Sequence, residues 1–195
     1  MRRVLLFFVF LLLIQFHLKG QGEEIYPHSD ISSLTNQNII TNLGFGFRAI
    51  RYAEQGLSKG PDVSANILIY DPAPMSWFAD ARGSYLRFYF PTDQNTYDFL
   101  HLEGGIGLTD GKSIFFGPYF GFITELTSKS QNSAFTGSFR VTVRFDLNER
   151  ISVNLSGHVG TTFSQLQGTT DINSSMYAGG SINVGFKLFS NAGSE

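Results

Sequence analysis

The chain has 195 residues, 15% of them charged, a net charge of −2 and no cysteine. That balance lacks the basic footprint of a nucleic-acid-binding protein, and the absence of cysteine excludes a disulfide framework. Phenylalanine (20 residues) and glycine (21 residues) are abundant while the mean hydropathy is only −0.02, so apolar residues must be interleaved with polar ones.

Met1-Arg2-Arg3 leads into the apolar run Val4–Ile14. Two cations before a short apolar run read as the opening of a secretory signal peptide. The run is too short for a spanning helix, which needs about 20 apolar residues. We assign 1–20 to the signal peptide, with cleavage near Gly20 and Gln21 as the new end. No cysteine follows the run, so lipid attachment there is excluded. Loss of Arg2, Arg3 and Lys19 takes the net charge from −2 to −5. Residues 21–38 are polar and without period, and read as a periplasmic leader.

From residue 39 the pattern has period two, the signature of strands whose successive side chains point to opposite faces. In 39–52, Leu43, Phe45, Phe47 and Ala49 share a face. A shorter strand, 63–70, aligns Val63, Ala65, Ile67 and Ile69. In 77–90 the apolar face runs Ala79, Ala81, Gly83, Tyr85 and then switches to Leu86, Phe88 and Phe90, which predicts a bulge near Tyr85. Segment 98–109 aligns Leu100, Leu102, Ile106 and Leu108. Segment 113–127 aligns Phe116, Phe120, Phe122 and Leu126, but Gly117-Pro118 interrupts it and predicts a local irregularity. The alternation is clearest in 134–147, with Phe135, Phe139, Val141, Val143, Phe145 and Leu147 opposite Arg140, Thr142, Arg144 and Asp146. Segment 150–163 places Ile151, Val153, Leu155, Val159 and Phe163 opposite Ser152, Asn154, Ser156 and His158. The last, 176–189, aligns Met176, Ala178, Ile182, Val184, Phe186 and Leu188, and 190–195 is a short polar tail.

Most of these segments exceed the usual globular strand of about 5–6 residues and suit a spanning strand of about 9–11. The connections alternate. Asp71-Pro72-Ala73-Pro74, Asp110-Gly111-Lys112 and Asn148-Glu149 are short, while those around 54–62, 91–97, 128–133 and 164–175 are mostly longer and polar. Short periplasmic turns and longer extracellular loops belong to outer-membrane barrels, and an even strand number returns both ends to the periplasm. The fold expected is therefore an eight-stranded antiparallel up-and-down transmembrane β-barrel over 39–189.

On this pattern the chain resembles the small eight-stranded outer-membrane barrels, the class of outer-membrane proteins A and X and the opacity-like proteins. Its Phe-rich style and Gln21 resemble versions from the Bacteroidota. Ser181–Phe189 resembles the closing strand that barrel-assembly machinery recognises in that class, although Asn191-Ala192-Gly193-Ser194-Glu195 follows it here. The resemblance implies a bacterial outer-membrane location, surrounding lipid as partner, a monomer, and a structural or surface-interaction role.

The polar faces carry Arg48, Arg82, Glu103, Glu125, Arg140, Arg144, Asp146 and His158. Eight strands leave an interior just wide enough to fill with side chains, so these residues are expected to form a polar network that plugs the lumen. The alternative is a narrow channel for small solutes lined by the same residues. A secreted lipocalin-like carrier is a further alternative, with its apolar face turned inward. Lipid deacylases of the same size use a His-x-Ser pair, but His158-Val159-Gly160 and His101-Leu102-Glu103 lack the serine. No catalysis is expected. His28, His101 and His158 show no ligand spacing, so neither metal nor other cofactor is expected.

Overall fold

The structure is a computed structural model and describes residues 37–52, 56–91, 94–127, 133–163 and 176–190. The segments expected as signal peptide (1–20) and, up to residue 36, as leader, with the 164–175 link and the tail after Ser190, lie outside the described residues.

Eight strands of 12–15 residues follow one another: β1 (Asn38–Tyr52), β2 (Gly56–Tyr70), β3 (Ser76–Phe90), β4 (Asn95–Thr109), β5 (Ile114–Glu125), β6 (Ser133–Asp146), β7 (Ile151–Thr162) and β8 (Met176–Ser190). Each pairs antiparallel with the next, and β1 pairs with β8, closing the barrel. Closure gives the strands no free edge, so their backbone N–H and C=O groups are satisfied between neighbours. The barrel starts one residue before and ends one residue after the span read from sequence.

Side chains alternate as the pattern requires. Phe45, Phe47, Leu102, Ile106, Phe120, Phe135, Phe139, Val141, Phe145, Val159, Ile182 and Phe186 lie on the outside and are exposed. Arg48, Asp62, Glu103, Arg140 and Arg144 lie inside and are buried. The barrel is thus of the transmembrane type, apolar without and polar within.

Two sequence expectations are corrected. First, β2 is not short: it begins at Gly56, and Leu57–Asp62, expected in a link, pairs with Arg51–Gly46 of β1. Gly60-Pro61 disguised it. Pro61 has no N–H to give, and the ladder to β3 lapses at Gly60 and Pro61 between Lys59↔Tyr89 and Asp62↔Leu86 without losing register. Gly60 is needed here, because a Cβ would fall on the Arg87 carbonyl. Second, there is no bulge near Tyr85. Pairing of β3 with β4 is unbroken from Ser76↔Thr109 to Phe90↔Asn95, so Leu86, Phe88 and Phe90 stay on the inner face. A strand without an inserted residue cannot change faces, whatever the polarity of its side chains.

The irregularity expected at Pro118 is a lapse of the same kind. Pairing with β4 stops between Gly105↔Tyr119 and Leu108↔Phe116 and resumes in register, while Pro118 stays opposite Phe139 of β6. The bulge that does occur lies where β1 meets β8, between Thr41 and Asn42.

The short turns share one device. Asp71 Oδ1 accepts the Ala73 N–H, Asp110 Oδ1 accepts those of Lys112, Ser113 and Ile114, and Asn148 Oδ1 accepts those of Arg150 and Ile151. Gly111 follows Asp110 with φ of 80°, a conformation that costs glycine little.

Candidate functional site

The interior has three layers. At the end of the short turns, Ile40, Leu68, Tyr70, Phe78, Phe115 and Tyr119 form an apolar cluster. Phe115 packs edge-on against Tyr70 and Phe78, with ring centroids 5.4 and 5.6 Å apart. At the opposite end, Ile50, Leu86, Phe88, Phe90, Tyr97, Phe99, Ile123, Ala134 and Tyr177 form a second cluster. Its aromatic rings stack around Phe90 at 5.6–6.4 Å.

Between the clusters lies a polar layer built on ion pairs between strands. Arg48 on β1 donates through Nε to Asp62 on β2 at 2.9 Å, and its Nη2 is 2.8 Å from the same carboxylate. Arg140 on β6 reaches Glu103 on β4 at 2.6 Å, with its guanidinium 4.3 Å from the centre of the Tyr119 ring. Asp80 on β3 accepts from Asn66 Nδ2 at 3.0 Å and from the Tyr119 hydroxyl at 3.1 Å, and Arg82 stands 3.9 Å from it. Thr142 and Ser156 hydrogen bond at 2.9 Å. Charges buried this deeply persist only when paired, and each of these six carboxylate or guanidinium centres has an opposite charge on its own or another strand.

The sequence-derived set divides as follows. Arg48, Glu103, Arg140 and His158 belong to the central layer, and Arg82 stands at its edge. Glu125 points inward and is buried at the far end of β5. Arg144 is buried but its partner Asp146 is not: the Asp146 side chain is 46% exposed at the turn-end rim. There it accepts from Arg144 Nε at 2.8 Å and sits 3.1 Å from Lys187 Nζ. Asp146 is therefore a rim residue and not part of the lumen network, because β6 ends at it and the wall no longer covers it.

Sequence reasoning missed Asp62, Asp80 and Tyr119. Asp62 was hidden in the supposed link, and Asp80 was passed over although it shares the inward face of Arg82, two residues away. The available signal was charge: the sequence-derived set has four arginines, Arg48, Arg82, Arg140 and Arg144, on β1, β3 and β6, and only one acid near mid-barrel, Glu103.

A hydroxyl–histidine pair does exist, but across strands. His101 Nε2 on β4 lies 3.1 Å from Thr136 Oγ1 on β6, and Glu103 Oε2 is 3.9 Å from His101 Nδ1. All three side chains are buried, and Glu103 is engaged by Arg140. The adjoining cavity, lined by Arg48, Leu86, His101, Thr136, Arg140, His158 and Tyr177, measures about 20 Å³. That holds a water molecule and no substrate. The pair reads as an internal hydrogen bond. Among the described residues no three His, Asp or Glu side chains converge as metal ligands would.

Fold and interior together define the class: a closed eight-stranded antiparallel up-and-down barrel, apolar outside and with ion pairs buried inside. No protein-family model matches the chain, and no curated protein matches its sequence. Among solved structures, it is similar to Ail, the attachment invasion locus protein of Yersinia pestis, with a TM-score of 0.43 and 10% identity over 79% of this chain and 100% of Ail. It is similar to Neisserial surface protein A with a TM-score of 0.43 and 10% identity, over 79% of this chain and 98% of that one. The translocator domain of the autotransporter NalP from Neisseria meningitidis gives a TM-score of 0.27 and 8% identity, over 79% of this chain and 89% of that one.

Proposed function

We propose that this chain is an exported, monomeric, integral outer-membrane β-barrel with a structural or surface-interaction role, no catalytic activity and a lumen closed to solutes. It would sit with the outer-membrane protein A and X and opacity-like barrels, in their Bacteroidota style, and be inserted by the barrel-assembly machinery. The observation that carries this reading is the exterior. Apolar side chains from all eight strands stand exposed around the wall, whereas soluble monomers rarely expose contiguous apolar patches above a few hundred Å². A lipocalin-like carrier would turn that surface inward.

The closed lumen is supported by its contents. Arg48 and Arg140 cross the middle against buried acids, and an aromatic cluster fills each end. The test is to reconstitute the protein in planar bilayers. Little or no steady conductance is expected, and the protein should need detergent for solubility. A large steady conductance would favour the channel reading, and a monomer soluble without detergent would favour the carrier.

A further inference from the structure

The strands carry four charged side chains on their outward faces among the described residues: Arg51 on β1, Lys59 on β2, Arg87 on β3 and Asp98 on β4. All four sit towards the end opposite the short turns, and all lie on one half of the barrel. On β5–β8 the outward positions at that end are Thr124, Phe135, Thr161, Met176 and Ala178, none of them charged. Three cations against one acid leave this wall with a charge of +2 on a chain whose net charge is −2.

We propose that this wall of β1–β4 is a docking site for the phosphate groups of a phosphorylated outer-leaflet lipid. The proposal rests on the membrane reading above, in which the end that carries the two longest links, 126–132 and 163–175, faces outward. Register sets the spacing. Lys59 is paired with Ala49 and with Tyr89. Arg51 lies two residues beyond Ala49, and Arg87 two residues short of Tyr89, so the three cations descend diagonally across three strands. Diagonal neighbours on one face have Cβ atoms about 7–8 Å apart, within reach of long side chains. One headgroup bearing two phosphates can therefore meet at least two cations at once.

The surroundings suit the membrane interface. Tyr89, level with Lys59, and Tyr85, four residues nearer mid-barrel, both face outward on β3, and aromatic residues with polar tips settle in headgroups. Asp98 accepts from Arg87 Nε at 2.7 Å and Nη2 at 3.1 Å, holding that guanidinium against the wall. Arg51 and Lys59 have no ion-pair partner among the described residues. Mere tolerance of charge near the interface would scatter it around the rim. Here it gathers on four neighbouring strands with one dominant sign, which is what binding to phosphate requires.

The experiment titrates the folded protein in detergent micelles with diphosphorylated lipid A, with its dephosphorylated form and with phosphatidylcholine, reading bound lipid by native mass spectrometry. The diphosphorylated lipid should bind preferentially. Arg51→Gln and Lys59→Gln should each weaken it about fivefold, and together about thirtyfold. Arg51→Lys should retain most of the binding, and Lys112→Gln, at the other end of the barrel, should change nothing. Asp98→Asn should strengthen binding, an increase that a damaged fold would not give. Unchanged binding by the folded double variant would overturn the proposal, as would full competition by free inorganic phosphate. A protein that proved soluble without detergent would overturn the membrane reading first, a separate and distinguishable result.

Discussion

The Arg140–Glu103 pair shows most directly how single residues hold the interior. Both groups are buried, and their 2.6 Å contact joins β6 to β4 across the lumen. Removing one partner of a buried pair leaves a charge without compensation, which costs about 3–5 kcal/mol. Arg140→Ala should destabilise the folded barrel by that order, read by reversible urea unfolding in lipid vesicles. Arg144→Ala should cost clearly less, because Asp146 is half exposed and keeps Lys187 as a second partner. Equal penalties would show that the two arginines share one environment and that the rim assignment of Asp146 is wrong. At this scale the sequence was half legible. Strand parity alone placed Arg48, Glu103, Arg140 and His158 inside. It could not match them to partners, because the pairs span 14 to 37 residues and join different strands.

For the elements, the clean alternation in β6, β7 and β8 made their faces readable, and those faces stand in the structure. Where polarity and parity disagreed, polarity misled. Leu86, Phe88 and Phe90 are apolar, yet they point inward because the β3 ladder has no inserted residue. The lumen needs them there: backbone closure leaves space at each end of the polar layer, and rings fill it without adding charges that need partners. β2 failed for the converse reason, since a proline and a glycine in an unbroken register look like a link. The turns were legible, and one is sensitive to pH. Burial by itself would raise the Asp110 pKa, but the N–H groups of Ile114, Lys112 and Ser113 and the Ser113 hydroxyl outweigh it and lower the value from 3.8 to about 2. A carboxylate whose folded pKa is depressed adds stability above its unfolded pKa and loses it as pH falls through the folded one. The stability difference between wild type and Asp110→Asn should therefore be constant above about pH 5, shrink through the range from 3.8 towards 2, and vanish below it. The turn at Asn148, which uses an uncharged amide in the same way, provides the comparison: Asn148→Ala should cost the same at every pH in that range. A difference for Asp110→Asn that does not vary with pH would mean that the charge on its carboxylate contributes nothing.

For the whole molecule, the question is which medium surrounds the wall. Val141 and Phe145 lie on the outer face of β6, 44% and 50% exposed, while Thr142 between them faces the lumen and bonds Ser156. If hydrocarbon surrounds the barrel, Val141→Arg places a cation near the bilayer midplane, at a cost of about 2–4 kcal/mol. Phe145 is one residue from the end of β6 and closer to the turn. Phe145→Arg should therefore cost less, since the penalty falls to about 0–1 kcal/mol near the interface. Thr142→Arg should follow a different rule. It would crowd the interior beside Arg140 and Arg144, and its cost should be set by packing and like charge in the lumen, with no dependence on bilayer thickness. Reversible unfolding in vesicles of thin and thick lipids separates these cases. Thicker bilayers should bring the Phe145→Arg penalty towards that of Val141→Arg and leave Thr142→Arg unchanged. A barrel that lives in water would show no depth gradient between Val141 and Phe145, and arginine on its outer face would cost little at either position.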